Sequence, residues 1–307
     1  MNAMQSLPRS SSLLFVVLLG GCQAFFHEQT AGPTVKRVTV NGAELSYVEQ
    51  GSGETVVFLH SLAADLRVWE HVQRRFPSDF RFVAYSRRHH TPNRWPDAGQ
   101  SHTLDQHVDD LAALIPALGV DRAHVVALGV GARVAAHTAI RHAQRVQTLT
   151  VGDGLLVAPV TDDGRLALKT FGARFGAVAE RVASRDERGT AAAVIDWLLS
   201  DSGGWDALPD ARRAPYLDNA RTLFHVLEDR SLRAPGCEAL GKLRIPILVL
   251  AGERTPPGLK FTNAAVPTCV AQAEYREVPR SGHLWYADNP DDGVRLLVQF
   301  LTAHRRR

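Results

Sequence analysis

With 307 residues, of which 45% are hydrophobic and 22% charged, the chain has the composition of an ordinary globular protein built on one large core, and a disordered or low-complexity protein is excluded. The formal net charge is only +3. Its basic end, His304-Arg305-Arg306-Arg307, lacks interleaved aromatic residues and reads as a solvated tail, so no nucleic-acid partner is expected.

The N-terminus carries an address. Arg9 precedes an apolar run over 13–19 that is too short to span a bilayer and closes on Leu19-Gly20-Gly21-Cys22. The run reads as a secretory signal, and its ending resembles the lipobox of bacterial lipoproteins, with Gly20 departing from the usual pattern. That resemblance implies a lipoprotein-type signal peptide over 1–22 and lipidation of Cys22 as the mature N-terminus. Because Gln23 is not the Asp that retains some lipoproteins in the inner membrane, it also implies the periplasmic face of the outer membrane. An ordinary cleaved signal with a chance cysteine is the alternative. Acylation of Cys22 leaves Cys237 and Cys269 as a pair in an oxidising compartment, where a disulfide is open to them; two buried free thiols are the favoured reading.

After a polar tether over 23–33, the pattern predicts a hairpin, 35–40 and 44–50, turning at Asn41-Gly42, a pair suited to a tight primed turn. An apolar strand over 55–59 follows, of the kind buried on both faces in a parallel sheet. Helical character over 65–75, a strand over 82–85, a polar loop over 86–102 and an amphipathic helix over 104–118 come next. Strand 124–128 meets Gly129 and Gly131 and passes into a helix over 132–141, and strand 148–151 closes the first alternation. From 158 to 236 the strand signal gives way to helical runs near 166–183, 191–199 and 211–227. The alternation resumes with strand 247–251, a helix over 259–270, strand 274–278 and a last helix over 291–303.

This layout resembles the α/β-hydrolase fold across nearly the whole mature chain. Val57-Phe58-Leu59-His60 with Trp69 looks like the family's oxyanion strand and loop, although Ser61 stands where a Gly is usual. Pro246 to Glu253 resembles the seventh strand, and Ser281-Gly282-His283 with Asn289-Pro290 resembles the catalytic-histidine loop. Tyr85-Ser86-Arg87-Arg88-His89-His90-Thr91-Pro92-Asn93 is similar to a loop of poorly described bacterial hydrolases. The resemblance implies a mostly parallel eight-stranded sheet with helices on both faces. It divides the chain into a core over 34–157 and 237–307 and a helical cap over 158–236, inserted after the sixth strand.

The junction Ala127-Leu128-Gly129-Val130-Gly131 occupies the place of the nucleophile elbow, whose small-x-Ser-x-Gly pattern holds a serine in a strained backbone beside a helix N-terminus. Gly129 stands at the nucleophile position and is inert. No Ser, Cys or Asp lies within one residue of it, so covalent catalysis at the elbow is excluded. Gly also relieves a backbone strain of about 1–3 kcal/mol. His283 stands where the family's general base belongs. The usual acid position after the seventh strand is Thr255, which carries no charge. Asp153, in Val151-Gly152-Asp153-Gly154, is the substitute from the sixth strand, with a turn-forming Asp as the alternative. By the family pattern the oxyanion donors are the backbone N–H groups of Leu62 and Val130. Ser61 reads as a turn residue rather than a nucleophile.

Arg87-Arg88-His89-His90 is a candidate anion or metal cluster near a pocket mouth, but no HExxH or CxxC spacing accompanies it, and neither a metal nor a cofactor is expected. His102, His107, His124 and His137 read as surface or satisfied core histidines. Phe171, Phe175, Trp197 and Trp205 read as cap packing and suggest an apolar pocket ceiling. These residues predict a lipid-anchored pseudo-hydrolase that binds a small apolar molecule or a protein partner. The alternative is an enzyme, a hydrolase or lyase, that uses His283 as general base without a covalent serine intermediate. A scaffold with a vestigial pocket is a third reading.

Overall fold

A computed structural model describes residues 34–229, 231 and 233–306. The leader, Cys22 and the tether lie outside the described residues. Eight strands form one sheet: β1 (Lys36–Val40), β2 (Ala43–Gln50), β3 (Glu54–Leu59), β4 (Phe80–Tyr85), β5 (Ala123–Leu128), β6 (Val146–Gly152), β7 (Ile247–Gly252) and β8 (Ala273–Val278). They lie in the order β1-β2-β4-β3-β5-β6-β7-β8. The β1–β2 hairpin turns at Asn41 and Gly42, both with positive φ (46° and 74°), as a primed turn requires. It joins β4 antiparallel, and every pairing from β4 to β8 is parallel.

Alternate residues of the central strands feed two cores, because side chains along a strand point to opposite faces. Val56, Phe58, Val126, Leu128, Leu248 and Leu250 enter one core with Trp69, Trp285 and Phe300. Val57, Leu59, Val125, Ala127, Ile247 and Val249 enter the other. The first core is covered by α1 (Glu70–Gln73), α12 (Trp285–Asp288) and α13 (Pro290–Ala303). The second is covered by α2 (Leu104–Ala117), α3 (Val130–Arg141), α10 (Gly236–Leu240) and α11 (Pro257–Cys269). Helices on both faces of a parallel sheet bury its strands almost completely, and β3, β5 and β7 are accordingly near-continuous apolar runs.

Between β6 and β7 lie α4 (Asp162–Ala173), α5 (Gly176–Ala183), α6 (Glu187–Leu199), α7 (Gly204–Ala207), α8 (Asp210–Asp218) and α9 (Thr222–Glu228). The helices expected over 166–183 and 211–227 are each two helices. The first breaks at Arg174-Phe175, where the Phe175 ring turns onto Trp197 with centroids 5.0 Å apart. The second breaks at Asn219, whose side-chain amide donates to Asp65 Oδ2 (2.8 Å) and to the Pro215 carbonyl (2.7 Å).

Cys237 and Cys269 are joined in a disulfide, with Cα atoms 5.1 Å apart, and are not the buried free thiols that the sequence favoured. Cys237 lies in α10 and Cys269 ends α11, and Gly241 brings the two helices close, since a Cβ there would lie 3.0 Å from the Cys269 carbonyl oxygen. The bond closes a loop spanning 32 positions, for which restriction of the unfolded chain contributes on the order of 4 kcal/mol. Among the described residues, no helix is long and apolar enough to cross a membrane.

Candidate active site

Three strand ends and one loop meet at the carboxyl edge of the sheet, where ligands of open α/β sheets bind. At the end of β5 the Gly129 N–H donates to the Gly152 carbonyl (2.9 Å), extending the β5–β6 ladder by one residue, and the Gly129 carbonyl then accepts from Ala132 (3.1 Å) to start α3. Gly129 has φ 55° and ψ −127°. The sharp elbow bend is therefore present in the backbone although no side chain sits on it, and glycine adopts it without strain. Gly131 serves a different need: a Cβ there would lie 2.4 Å from the His60 carbonyl oxygen, so α3 can approach the β3 loop only with glycine at this position.

Asp153 follows β6 with φ 53°, a left-handed conformation uncommon outside glycine. Its side chain is fully buried and saturated with donors. Oδ1 accepts from Asn263 Nδ2 (2.6 Å), and Oδ2 accepts from Thr255 Oγ1 (2.7 Å) and from His283 Nδ1 (2.7 Å). Asn263 closes a second contact by accepting the Asp153 backbone N–H on Oδ1 (3.0 Å). The ionised carboxylate fixes Nδ1 of His283 as the protonated nitrogen, which leaves Nε2 as the basic one. Among the described residues no group bonds Nε2. The turn alternative for Asp153 thus gives way to a direct pairing with His283. Thr255, which the resemblance put at the usual acid position, donates a hydrogen bond to the Asp153 carboxylate.

The loop that carries His283 is held from both sides. Ser281 Oγ donates to the Val278 carbonyl (2.8 Å), the Ser281 carbonyl accepts from Arg254 N–H (2.8 Å), and Gly282 N–H donates to Asp288 Oδ2 (3.2 Å). The ring itself is 2% exposed.

The β3 loop borders the same cavity as Asp153. His60 Nε2 accepts the Arg87 backbone N–H (3.0 Å), so its proton sits on Nδ1, which donates to the Ser61 carbonyl (2.9 Å). Arg87 Nη2 donates to the same carbonyl (2.9 Å). The C=O and N–H of one trans peptide point in opposite directions, so these two donors turn the Leu62 N–H the other way. Leu62 and Val130 both border the cavity, and neither N–H has an acceptor among the described residues. The Ser61 hydroxyl is buried and unpartnered.

The cavity measures about 370 Å³ and is walled by Ser61, Leu62, Gly129, Val130, Arg133, Asp153, Gly154 and Leu155 below, with Phe175, Trp197, Leu198, Val226, Leu227 and Leu259 around them. Of the four aromatic residues read as cap packing, Phe175 and Trp197 line it. Phe171 stacks on Trp197 from behind (4.4 Å), and Trp205 is buried elsewhere with the Arg213 guanidinium 5.8 Å from its ring. Asp153 borders the cavity; His283 is set beside it and is not among the lining residues.

The Arg87-Arg88-His89-His90 cluster is not at a pocket mouth. All four residues are buried. Arg88 pairs with Asp110 through two bonds of 2.9 Å, and Arg87 holds the Ser61 carbonyl and reaches His90 Nε2 (3.3 Å). Among the described residues no carboxylate faces the Arg87 guanidinium, and burial lowers its pKa to about 10. His102 and His107, expected as surface or satisfied residues, pack with His89 and His90 at ring separations of 4.7 to 6.2 Å. Both nitrogens of His107 are without partners. Burial, and next the Arg87 charge, hold His60, His90 and His107 well below the ordinary histidine range and His102 at about 3. His124 is a satisfied core histidine bonded to Thr148 Oγ1 (2.8 Å), and His137 reaches the Arg233 carbonyl (3.1 Å). Among the described residues no group of three or more His, Cys, Asp or Glu side chains is placed to hold a metal ion.

The sequence profile of the Alpha/beta hydrolase family matches residues 56–296. A 3-oxoadipate enol-lactonase of Acinetobacter baylyi is 24% identical over 277 residues, covering 87% of this chain and 92% of that protein. A crystal structure of a membrane phospholipase A described as a bacterial virulence factor superposes with a TM-score of 0.72 at 20% identity, over 90% of this chain and 88% of the other. The structure of Est816, described as an N-acyl homoserine lactone degrading enzyme, gives a TM-score of 0.69 at 21% identity, over 86% and 100%.

Proposed function

Because the chain belongs to the alpha/beta hydrolase family, we propose that it hydrolyses a small apolar ester or lactone, with His283 as general base and Asp153 as the acid that orients it. The observation that carries this reading is the 2.7 Å bond between His283 Nδ1 and an Asp153 carboxylate whose other contacts are all donors. Nε2 takes the proton of the attacking oxygen and later returns it to the leaving alkoxide, while the Asp153 charge stabilises the imidazolium between these steps. The N–H groups of Leu62 and Val130 receive the oxyanion. The apolar cavity suits a compact acyl group, and the lactone chemistry named for the relatives above points in the same direction.

The pseudo-hydrolase reading is favoured by one observation, the missing side chain at Gly129, and in that reading the cavity only binds a small apolar molecule or a site on the protein engages a partner. Hydrolysis of short-chain aryl esters by the purified chain separates the two. Activity in the wild type that falls by about 10²- to 10⁴-fold in His283→Ala is the expected result. Binding of such esters without turnover would favour the pseudo-hydrolase.

The chain is proposed to act as a lipoprotein anchored through Cys22 on the periplasmic face of the outer membrane, where the Cys237–Cys269 disulfide suits an oxidising compartment. Labelling by a radioactive fatty acid that is lost in Cys22→Ser supports the anchor; labelling that persists contradicts it.

A further inference from the structure

The hydroxyl missing from the elbow has a counterpart one loop away. A Cβ built on Gly129 would lie 2.0 Å from Ser61 Oγ and 3.0 Å from Ser61 Cβ. The Ser61 oxygen thus occupies the volume in which an elbow side chain would begin. It is a buried hydroxyl with no hydrogen-bond partner, on a residue that borders the cavity. An unpaired buried hydroxyl costs about 1–3 kcal/mol.

We infer that Ser61 is the nucleophile of this site and that the seat of the attacking oxygen has passed from the β5 elbow to the β3 loop. The inference rests on the reading of His283 as general base. Two features of the geometry support the exchange. First, the two loops face each other across the same point, so an oxygen on either can meet the same acyl carbon. Second, the oxyanion donors keep their relation to the nucleophile. In the family's arrangement one donor is the N–H of the residue after the nucleophile and the other comes from the facing loop. With Ser61 attacking, Leu62 is the following residue and Val130 lies on the facing loop. The backbone of Ser61 is fixed for this role by His60 and Arg87, both bonded to its carbonyl at 2.9 Å, while its side chain is left without a partner.

The reaction balances without any added co-reactant. Ser61 Oγ forms a bond to the acyl carbon as its proton passes to His283 Nε2, a contact that is absent in the free protein and closes only with substrate bound, and the carbonyl electron pair moves onto the oxyanion. The oxyanion collapses, the carbon–oxygen bond to the leaving group breaks, and His283 returns the proton to the departing alkoxide. Water then attacks the acyl-Ser61 ester and gives its proton to His283; the second oxyanion collapses, the bond from carbon to Ser61 Oγ breaks, and His283 returns the proton to Oγ, releasing the carboxylic acid with Ser61 restored.

The test uses the full chain in detergent, a fluorophosphonate probe and p-nitrophenyl butyrate. The wild type should hydrolyse the ester, and the probe should be recovered by mass spectrometry on the peptide that contains Ser61. Ser61→Ala and Ser61→Gly should each lose at least about 10²-fold in kcat and lose the label. Two results overturn the inference while leaving the base in place: Ser61→Ala retaining activity within about threefold while His283→Ala is inactive, which makes water the attacking group, or a probe that maps to another residue. A wild type that neither turns over the ester nor takes the label overturns both this inference and the hydrolase reading beneath it. Since the labelling is done on the wild type, a variant that fails to fold leaves the outcome intact.

Discussion

Two walls of the site treat their polar side chains in opposite ways. On the acid wall, the carboxylate sits after β6 instead of β7, and each of its oxygens is paired, with Asn263, Thr255 and His283 all donating to it. On the elbow wall, the backbone of Gly129 keeps its bend, and the hydroxyl that shares its space, on Ser61, is left unpaired. The difference follows from what each group has to do. A buried carboxylate that orients a base is useful only if it stays still, and hydrogen bonds from three donors hold it in place. A nucleophile that is tied to protein acceptors has to break those bonds before it can attack, so a spare hydroxyl costs stability and gains reactivity.

Breaking the saturated wall should have the larger effect. Asp153→Asn keeps the size of the side chain but removes the charge and favours the wrong imidazole tautomer, so kcat for ester hydrolysis should fall by about 10⁴-fold at neutral pH. A loss of less than about tenfold would mean that the 2.7 Å pairing with His283 is structural only.

The elbow wall is sharpened by moving the hydroxyl back. Gly129→Ser alone places a Cβ 2.0 Å from Ser61 Oγ, so the two hydroxyls compete for one space and this variant should gain nothing. Adding Gly129→Ser to Ser61→Gly should instead restore at least about tenfold of the activity that Ser61→Gly loses, because the oxygen returns to the same point from the other loop. Equal activities in Ser61→Gly and the double variant would contradict the shared space.

A smaller effect concerns the frame behind the β3 loop. In the unfolded chain His60, His90, His102 and His107 protonate near 6.5, whereas in the folded protein burial and the Arg87 charge lower all four, His102 to about 3. His89, His225 and Asp97 also face this group, and the unfolded chain still binds more protons. Stability from the neutral cluster is therefore complete above pH 6.5 and is lost as the pH falls from 6.5 toward 3. The slope is up to about 1.4 kcal/mol per pH unit for each histidine. The urea midpoint should drop between pH 7.5 and pH 5.5; a constant midpoint would show that the cluster is charged or solvated.

The sheet was legible because its strands are short apolar runs separated by turn residues, and the strand ends then placed Gly129, Asp153, Thr255 and His283 without coordinates. Cap breaks were not, because they are made by tertiary contacts: Phe175 against Trp197 and Asn219 against Asp65 carry no local signal. Asn263 is 110 positions from the Asp153 it holds, and no spacing rule joins a helix interior to a strand end. Ser61 shows the limit most clearly. A serine after His60 looks like a turn residue in the sequence, and only the 2.0 Å approach to an absent Cβ reveals what space it fills. The Arg87–His90 run was visible as a cluster, but not that it lies buried, with Arg87 holding the Ser61 carbonyl.

The claim on which the rest depends is that the His283–Asp153 pair works as a base. Its most direct measurement is the kcat/KM of the purified protein for p-nitrophenyl butyrate beside that of His283→Ala. The account predicts turnover in the wild type and a loss of at least about 10²-fold in the variant; equal rates in the two proteins would contradict it.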